Sequence, residues 1–196
     1  MNDIDLNELL QLIIKDKGGT SQQYNQLMDQ IAYHETGALQ RMDPYAMQEE
    51  GGPGRGLFQF EVGEEMGGNT AVNRTHNYLT SQGAAVPTWL HDIWAGTKSV
   101  DFTTLEPEQQ KMLFLGNYMM HPQANLGEVM SGNMTERDFW ANYHWAGKKE
   151  QEDLRLQSWD ESMASWRKDS NITTAPFMAD TVFGEKESSL VDKVIE

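Results

Sequence analysis

Apolar side chains between Thr20 and Gly37 recur at three- and four-residue steps, which is the period of an α-helix and not of a β-strand. Thr20 or Ser21 offers a hydroxyl that can cap the N-terminus of this helix, and Gly37 is suited to end it. The pattern predicts a helix with one buried face. That face is formed by Tyr24, Leu27, Met28 and Ile31.

The same periodicity predicts further helices along the chain. Pro107 is suited to a first helical turn, and Thr135 can cap a helix with Asp138 three positions later. The chain is therefore predicted to be mainly α, with a small strand or turn element. The predicted helices are 3–15, 20–37, 107–121, 135–147 and 151–168, with a loop over 43–56, a strand or turn over 56–60, and short helices and turns over 61–105.

The composition favours one globular domain. The 196 residues include 38% hydrophobic and 23% charged residues, as expected of a chain that folds around a single core. A formal net charge of −15 disfavours binding to nucleic acid or to an anionic membrane surface. Cysteine is absent, which excludes disulfides and thiol nucleophiles.

Both ends of the sequence support further predictions, about targeting at the N-terminus and about a tail at the C-terminus. Residues 1–6 are acidic and no apolar run is long enough to span a bilayer, so we expect no signal peptide, no membrane insertion and synthesis in the cytoplasm. From Ser170 the chain becomes polar and irregular, which predicts a tail that packs on its own domain or on a neighbouring subunit. The predicted divisions are an N-terminal helix over 1–19, a domain over 20–169 and an extended tail over 170–196.

Glu35 continues the apolar stripe of its helix instead of lying opposite it. Its side chain is therefore predicted to point toward the core or a cleft wall. Apolar surroundings and the negative end of the helix dipole both favour a protonated carboxyl, as a general acid requires. The alternative is an ordinary carboxylate at a solvated helix end.

Four short segments occur in an order that resembles the soluble lytic transglycosylases and related lysozyme-like enzymes. The resemblance covers roughly residues 22–150 and implies a lysozyme-like, lytic transglycosylase-like helical domain with a C-terminal extension. It also implies that Glu35 is the catalytic residue. The segments are His34-Glu35-Thr36-Gly37-Ala38, Gly56-Leu57-Phe58-Gln59, Asn125-Leu126-Gly127 and Tyr143-His144-Trp145-Ala146-Gly147.

The resemblance further implies a reaction on peptidoglycan glycan strands. The five histidines form no i,i+4 pair and no His-Glu-x-x-His arrangement, so no metal or other cofactor is predicted. Glu35 would protonate the oxygen between N-acetylmuramic acid and N-acetylglucosamine, and would then take the C6 hydroxyl proton as a 1,6-anhydro sugar forms. Thr36, Gln59, Tyr143 and Trp145 are the predicted substrate-binding residues. Gln59 could instead satisfy turn backbone, and Trp145 could instead belong to the core.

Three departures from the family pattern affect these assignments. Thr36 stands where the family usually has serine, and the interval from Glu35 to Gly56 is longer than the usual spacing. The last motif carries an extra residue and lacks its asparagine. Either Tyr143 or His144 can therefore fill the family's tyrosine position, and we favour Tyr143.

Two alternatives to a transglycosylase stay open. A hydrolytic lysozyme would need a second carboxylate across the cleft. A catalytically inactive structural protein could retain the fold and dock through its tail to other proteins of a bacteriophage particle. An enzyme within such a virion would unite tail and activity, acting on the bacterial wall without a signal peptide. The candidate second carboxylates are Asp43, Glu49, Glu50, Glu61 and Glu64.

Overall fold

The protein is described by a computed structural model over residues 3–37, 39–48, 52–61, 67–98, 101–102, 104–145 and 151–170. Within these ranges the chain is mainly helical with very little strand, which confirms the predicted mainly α class. The predicted tail beyond Ser170 and the Ala146-Gly147 end of the last motif lie outside the described residues.

The described part of the chain contains eight α-helices, one π-helical turn (Trp140–His144) and one short hairpin. None of these helices is long and apolar enough to cross a membrane. The strands β1 (Gly54–Arg55) and β2 (Phe60–Glu61) pair antiparallel, with Gly54 opposite Glu61 and Arg55 opposite Phe60. The helices are α1 (Leu6–Lys17), α2 (Ser21–Glu35), α3 (Gly67–Ser81), α4 (Thr88–Trp94), α5 (Pro107–Met119), α6 (Leu126–Met130), α7 (Glu136–Phe139) and α8 (Glu152–Asp169).

Helix α2 begins and ends where the sequence predicts. Thr20 Oγ1 accepts from the Gln23 backbone N–H at 3.3 Å, while Gln23 Oε1 accepts from the Thr20 N–H at 2.9 Å. This reciprocal pair satisfies two N–H groups that the helix leaves open. At the other end Gly37 has a φ of +64°, a left-handed conformation that glycine adopts without strain. Glu35 is therefore held at a well-defined helix end.

Helix α5 runs through the middle of the molecule. Every residue from Met112 to Tyr118 is buried, so the helix packs on all sides, as expected of an element inside the core. Its closest crossing is with α3, where Gly116 meets Thr75. A Cβ at Gly116 would lie 2.4 Å from Thr75 Oγ1, and glycine at this position allows the two backbones to approach.

The turn between β1 and β2 is tied to α5 by a buried side chain. Gln110 accepts a hydrogen bond from the Leu57 backbone N–H at 2.8 Å and donates to the carbonyl oxygens of Pro44 at 2.7 Å and Leu105 at 3.0 Å. Gln110 is fully buried, so these bonds fix the turn against the core. The predicted strand or turn over 56–60 is confirmed as the turn and the start of β2.

Two predicted elements differ from the structure. Residues 67–81 form one helix of 15 residues, where only short pieces were predicted, because Thr75 and His76 interrupt the apolar pattern of its buried face. The predicted helix over 135–147 is α-helical only to Phe139. It continues as a π-helical turn over Trp140–His144, in which the Trp145 N–H donates to the Trp140 carbonyl at 2.9 Å.

Candidate active site

A cleft of about 1030 Å³ lies between the end of α2, the hairpin turn, α5, the π-helical turn and α8. The size suits a ligand of several rings, because small-molecule sites in proteins commonly range from about 300 to 1,000 Å³. The residues predicted from the sequence lie far apart in the chain, yet all of them line this cleft. They are Glu35, Thr36, Gln59, Tyr143 and Trp145.

Glu35 is the last residue of α2, and its side chain is 18% exposed. The Trp140 indole N–H donates a hydrogen bond to Oε1 of Glu35. His144 Nε2 lies 3.8 Å from the same oxygen. The other oxygen, Oε2, makes no hydrogen bond within the described residues. One oxygen of the carboxylate is thus fixed by the protein, and the other is left for a ligand.

Trp140 is held in place by aromatic stacking. It is 1% exposed and stacks with Trp145, at a centroid distance of 6.2 Å, and with Trp159, at 5.2 Å. His34 contacts the same indole edge-on at 4.5 Å. This packing fixes the direction of the indole N–H, so that it can orient Glu35.

His144 links the π-helical turn to the hairpin turn and to α5. Its Nε2 lies 2.9 Å from the Phe58 carbonyl oxygen, which can only accept, so Nε2 carries the proton. Nδ1 then accepts from the Tyr118 hydroxyl at 2.6 Å. Burial lowers the pKa of His144 below its usual 6.5, outweighing the opposing effect of the Glu35 charge. Neutral His144 therefore connects the π-helical turn with the hairpin turn and α5 next to Glu35.

Tyr118 is the other half of this buried pair. Burial, reinforced by the Glu35 charge, raises the pKa of the Tyr118 hydroxyl far above its usual value. The hydroxyl therefore keeps its proton, which it donates to His144. The pair of Tyr118 and His144 joins α5 to the π-helical turn.

Two aromatic side chains of the predicted site are partly exposed in the cleft. Tyr143 packs against Phe139 at 5.5 Å and His121 at 5.8 Å. Trp145 stacks on the buried Trp140 at an interplanar angle of 21°. Each ring is thus supported from behind while it lines the cleft, an arrangement that suits stacking on a sugar ring.

The hydroxyl of Thr36 is used by the backbone. It donates to the Ala32 carbonyl at 2.7 Å and accepts from the Met42 N–H at 2.9 Å. Through these bonds Thr36 ties the loop that follows α2 to the helix end. Its predicted contact with substrate stays a prediction.

Gln59 also serves the backbone in this structure. Its Nε2 donates to the Gly56 carbonyl at 2.8 Å, and its Oε1 is buried without a hydrogen bond to any described residue. Gln59 has a φ of +46°, an uncommon left-handed conformation for a residue with a side chain. The turn-stabilising role that the sequence left open is therefore present, and substrate binding by Gln59 stays a prediction.

The cleft is less acidic than the chain as a whole. Three arginines and three glutamates line it, in a protein whose net charge is −15. Arg41 is paired, because its Nη1 lies 2.7 Å from Asp169 Oδ2. A neutral balance permits approach by a substrate with negative groups. The six charged residues are Arg41, Arg74, Arg155, Glu35, Glu61 and Glu161.

Several functional candidates were not identified from the sequence. The sequence predicts only a packing role for Trp140 and Tyr118, and the pairing of Tyr118 with His144 joins residues 26 positions apart. Arg74 and Asn117 lie on α3 and α5 and form a hydrogen bond across the helix pair. Such contacts depend on tertiary packing and leave no local sequence pattern, except that Trp140 lies close to the last motif.

The residues that line the cleft reduce the number of candidates for a second carboxylate. Of the candidates, Glu49, Glu50 and Glu64 lie outside the described residues. Asp43 does not line the cleft, whereas Glu61 does. Across the described ranges no cluster of three or more histidine, aspartate or glutamate side chains is arranged to hold a metal ion.

Comparisons of the chain with family models, curated proteins and solved structures find no match. The chemistry available to the cleft follows from its own side chains. Glu35 can give a proton to a bound group or take one from it, because Oε2 makes no hydrogen bond to any described residue. Tyr143 and Trp145 supply apolar faces beside that carboxyl. The arrangement suits general acid–base catalysis on a ring-containing polar ligand.

Proposed function

We propose that the protein is a lytic transglycosylase with a lysozyme-like fold, which cleaves peptidoglycan between N-acetylmuramic acid and N-acetylglucosamine. The observation that carries the proposal is the setting of Glu35. Its helix-end carboxyl lies in a cleft, with one oxygen hydrogen-bonded to Trp140 and the other without a hydrogen bond to any residue that the structure describes. A general acid needs this combination of fixed direction and open access.

The first step breaks the glycosidic bond. Glu35 gives its proton to the bridging oxygen, the bond from that oxygen to C1 breaks, and the N-acetylglucosamine side leaves as an alcohol. The acetamido group of the muramic acid stabilises the positive charge that develops at C1. Trp140 holds Oε1, so that Oε2 delivers the proton.

The second step closes the sugar on itself. Glu35, now a carboxylate, takes the proton of the C6 hydroxyl while O6 bonds to C1. The product is a 1,6-anhydromuramic acid, and Glu35 is again protonated. This sequence needs a single carboxyl group and no water.

A hydrolytic lysozyme is the second candidate, because Glu61 lines the same cleft as Glu35. In that reaction water would add to C1, and Glu61 would stabilise the charge or activate the water from the opposite side of the sugar. Inverting glycosidases place the two carboxyls about 6.5–9.5 Å apart, and retaining enzymes about 5–5.5 Å apart.

The deciding experiment is digestion of purified peptidoglycan, with product masses read by mass spectrometry. We expect anhydro products from the wild type and none from Glu35→Gln. Glu61→Gln should retain activity. Glu108→Gln serves as the control, because Glu108 is exposed and lies outside the cleft. A measurement of melting temperature for each variant separates loss of catalysis from loss of fold.

The other outcomes identify the alternatives. Products heavier by one water that disappear in both Glu35→Gln and Glu61→Gln would make the protein a lysozyme. Absence of any product from the wild type would favour a structural protein that retains the fold. In that case detection of the chain in purified phage particles, and its loss on removal of residues 170–196, would support docking through the tail.

A further inference from the structure

Arg74 presents a guanidinium to the cleft from the wall formed by α3 and α5. Its side chain is partly buried, and Nη1 donates to Asn117 Oδ1 at 2.9 Å. Asn117 is itself only 8% exposed and also lines the cleft. This bond fixes the direction of a side chain that would otherwise sample many rotamers.

The guanidinium has no carboxylate partner within the described residues. Arg41, which also lines the cleft, is paired with Asp169, and Arg155 is exposed to solvent. A partly buried cation without a counter-charge is unfavourable, and this chain has 30 acidic residues from which a partner could come. Such an unpaired cation is expected where a ligand brings the negative charge.

Arg74 and Glu35 line the same cleft, and the charges of both affect the ionisation of Tyr118. The Glu35 charge raises the pKa of the Tyr118 hydroxyl, and the Arg74 charge opposes it. Arg74 also contributes to lowering the pKa of His121, whose ring packs against Tyr143 at 5.8 Å. Arg74, His121 and Tyr143 all line the same cleft as Glu35.

Hydrogen-bond donors remain available at this position. A guanidinium has five N–H groups. In Arg74, only an N–H of Nη1 has an acceptor among the described residues, namely Asn117 Oδ1. The Asn117 amide nitrogen also has no acceptor among the described residues. Two parallel N–H groups of a guanidinium match the two oxygens of a carboxylate.

We propose that Arg74 and Asn117 bind a carboxylate of the substrate, and that this contact makes the cleft prefer carboxylate-bearing glycans over neutral ones. The inference rests on the proposed function for its substrate class. Peptidoglycan offers two sources of this group. One is the lactyl carboxylate of peptide-free muramic acid, and the other is the set of carboxylates on an attached stem peptide.

The test is a binding measurement in the Glu35→Gln background, where turnover does not interfere. Isothermal titration calorimetry compares three ligands: neutral chitotetraose, the peptide-free tetrasaccharide of N-acetylglucosamine and N-acetylmuramic acid, and the same tetrasaccharide with stem peptides. The added variants are Arg74→Gln, Arg74→Lys and the control Arg167→Gln. Arg167 is exposed on α8 and lies outside the cleft.

We expect Arg74→Gln to weaken the binding of a carboxylate ligand roughly tenfold or more, while chitotetraose changes by less than about twofold. Arg74→Lys should restore part of the loss, because it keeps the charge without the paired N–H groups. Weakening of the peptide-free ligand identifies the lactyl group, and weakening of only the peptide-bearing ligand identifies the stem.

Equal affinities of Arg74→Gln and Arg167→Gln for every ligand would overturn the carboxylate site. So would a loss shared equally by chitotetraose, or no binding of any ligand. These outcomes are distinct from failure of the proposed reaction. If the wild type binds but releases no product, the reaction is wrong while the carboxylate site is judged by its affinity ratio. Melting temperatures of all variants exclude unfolding as the cause.

Discussion

Trp140 donates its indole N–H to Oε1 of Glu35 across 105 positions of sequence. An indole can donate but not accept, and the carbonyl oxygen of a protonated carboxyl accepts better than its hydroxyl oxygen. The bond from Trp140 to Oε1 therefore favours the form of Glu35 that carries its proton on Oε2. The contact thereby assigns different tasks to the two oxygens of one carboxyl group.

Trp140→Phe should lower the rate of glycan cleavage roughly 10- to 100-fold, because loss of one charged hydrogen bond is worth about 1.5–3 kcal/mol. The phenyl ring retains most of the stacking with Trp145 and Trp159. Initial rates of product release and the free energy of unfolding are the two measurements. Trp159→Phe is the matched control, since Trp159 is buried in the same stack but does not bond Glu35. Equal loss of rate in both variants would contradict the positioning role of the Trp140 N–H.

Tyr118→Phe should lower the free energy of unfolding by about 1–3 kcal/mol, because it leaves Nδ1 of the buried His144 without its donor. Chemical denaturation measures this loss. Tyr143→Phe is the control, because no hydrogen bond of its hydroxyl exists within the described residues.

The hydrogen bonds of His144 also predict its tautomer in the wild type: ¹⁵N chemical shifts should show a protonated Nε2 and an unprotonated Nδ1. The opposite tautomer would refute the assigned direction of both hydrogen bonds.

The helical class and the ends of α2 could be predicted from the sequence because they depend on local patterns. The apolar period of α2, the Thr20 cap and the Gly37 stop all act within a few residues of one another. The position of Glu35 in the apolar stripe predicted a cleft wall for the same reason. Helix α3 escaped prediction because Thr75 and His76 are buried polar residues on its packed face.

The interior of the site could not be predicted in this way. The π-helical turn changes the direction of Trp140 and His144 relative to an α-helix, and no sequence period marks it. That Arg74 has no carboxylate partner in the described part of the chain becomes visible only when α3 and α5 are packed together. Contacts of this kind depend on where distant segments meet, which periodicity and capping do not determine.

The protein should lose stability as the pH falls below about 6.5, because burial lowers the pKa values of four histidines from that usual value. The unfolded chain then binds protons that the folded chain does not. The stability that the neutral histidines contribute is fully present above pH 6.5. It is lost as the pH falls from 6.5 toward the lowered pKa of each histidine in the folded protein, and it changes no further below that pKa. The four residues are His34, His76, His121 and His144.

Denaturation curves at several pH values between 8 and 4.5, a range of roughly two units either side of the usual histidine pKa, measure this effect. His76→Phe should flatten the profile, because a phenyl ring keeps the stack on Trp94, whose centroid lies 3.9 Å away, but does not titrate. A profile for His76→Phe with the slope of the wild type would show that this histidine does not contribute.

Variants of Thr36 can show whether its hydroxyl supports the fold or contacts the substrate, because the hydroxyl forms hydrogen bonds with the Ala32 carbonyl and the Met42 N–H. Thr36→Val removes both bonds and should lower the free energy of unfolding by about 1–3 kcal/mol, whereas Thr36→Ser keeps the hydroxyl and should lose well under about 1 kcal/mol. Urea denaturation checks the stability, and cleavage rates are measured well below each melting temperature. If the hydroxyl serves only to hold the loop after α2, Thr36→Val changes kcat and KM because the cleft wall is displaced. In that case the loss of activity becomes smaller when a stabilising osmolyte is present. A KM increase that persists under stabilising conditions would instead show that the hydroxyl contacts the substrate.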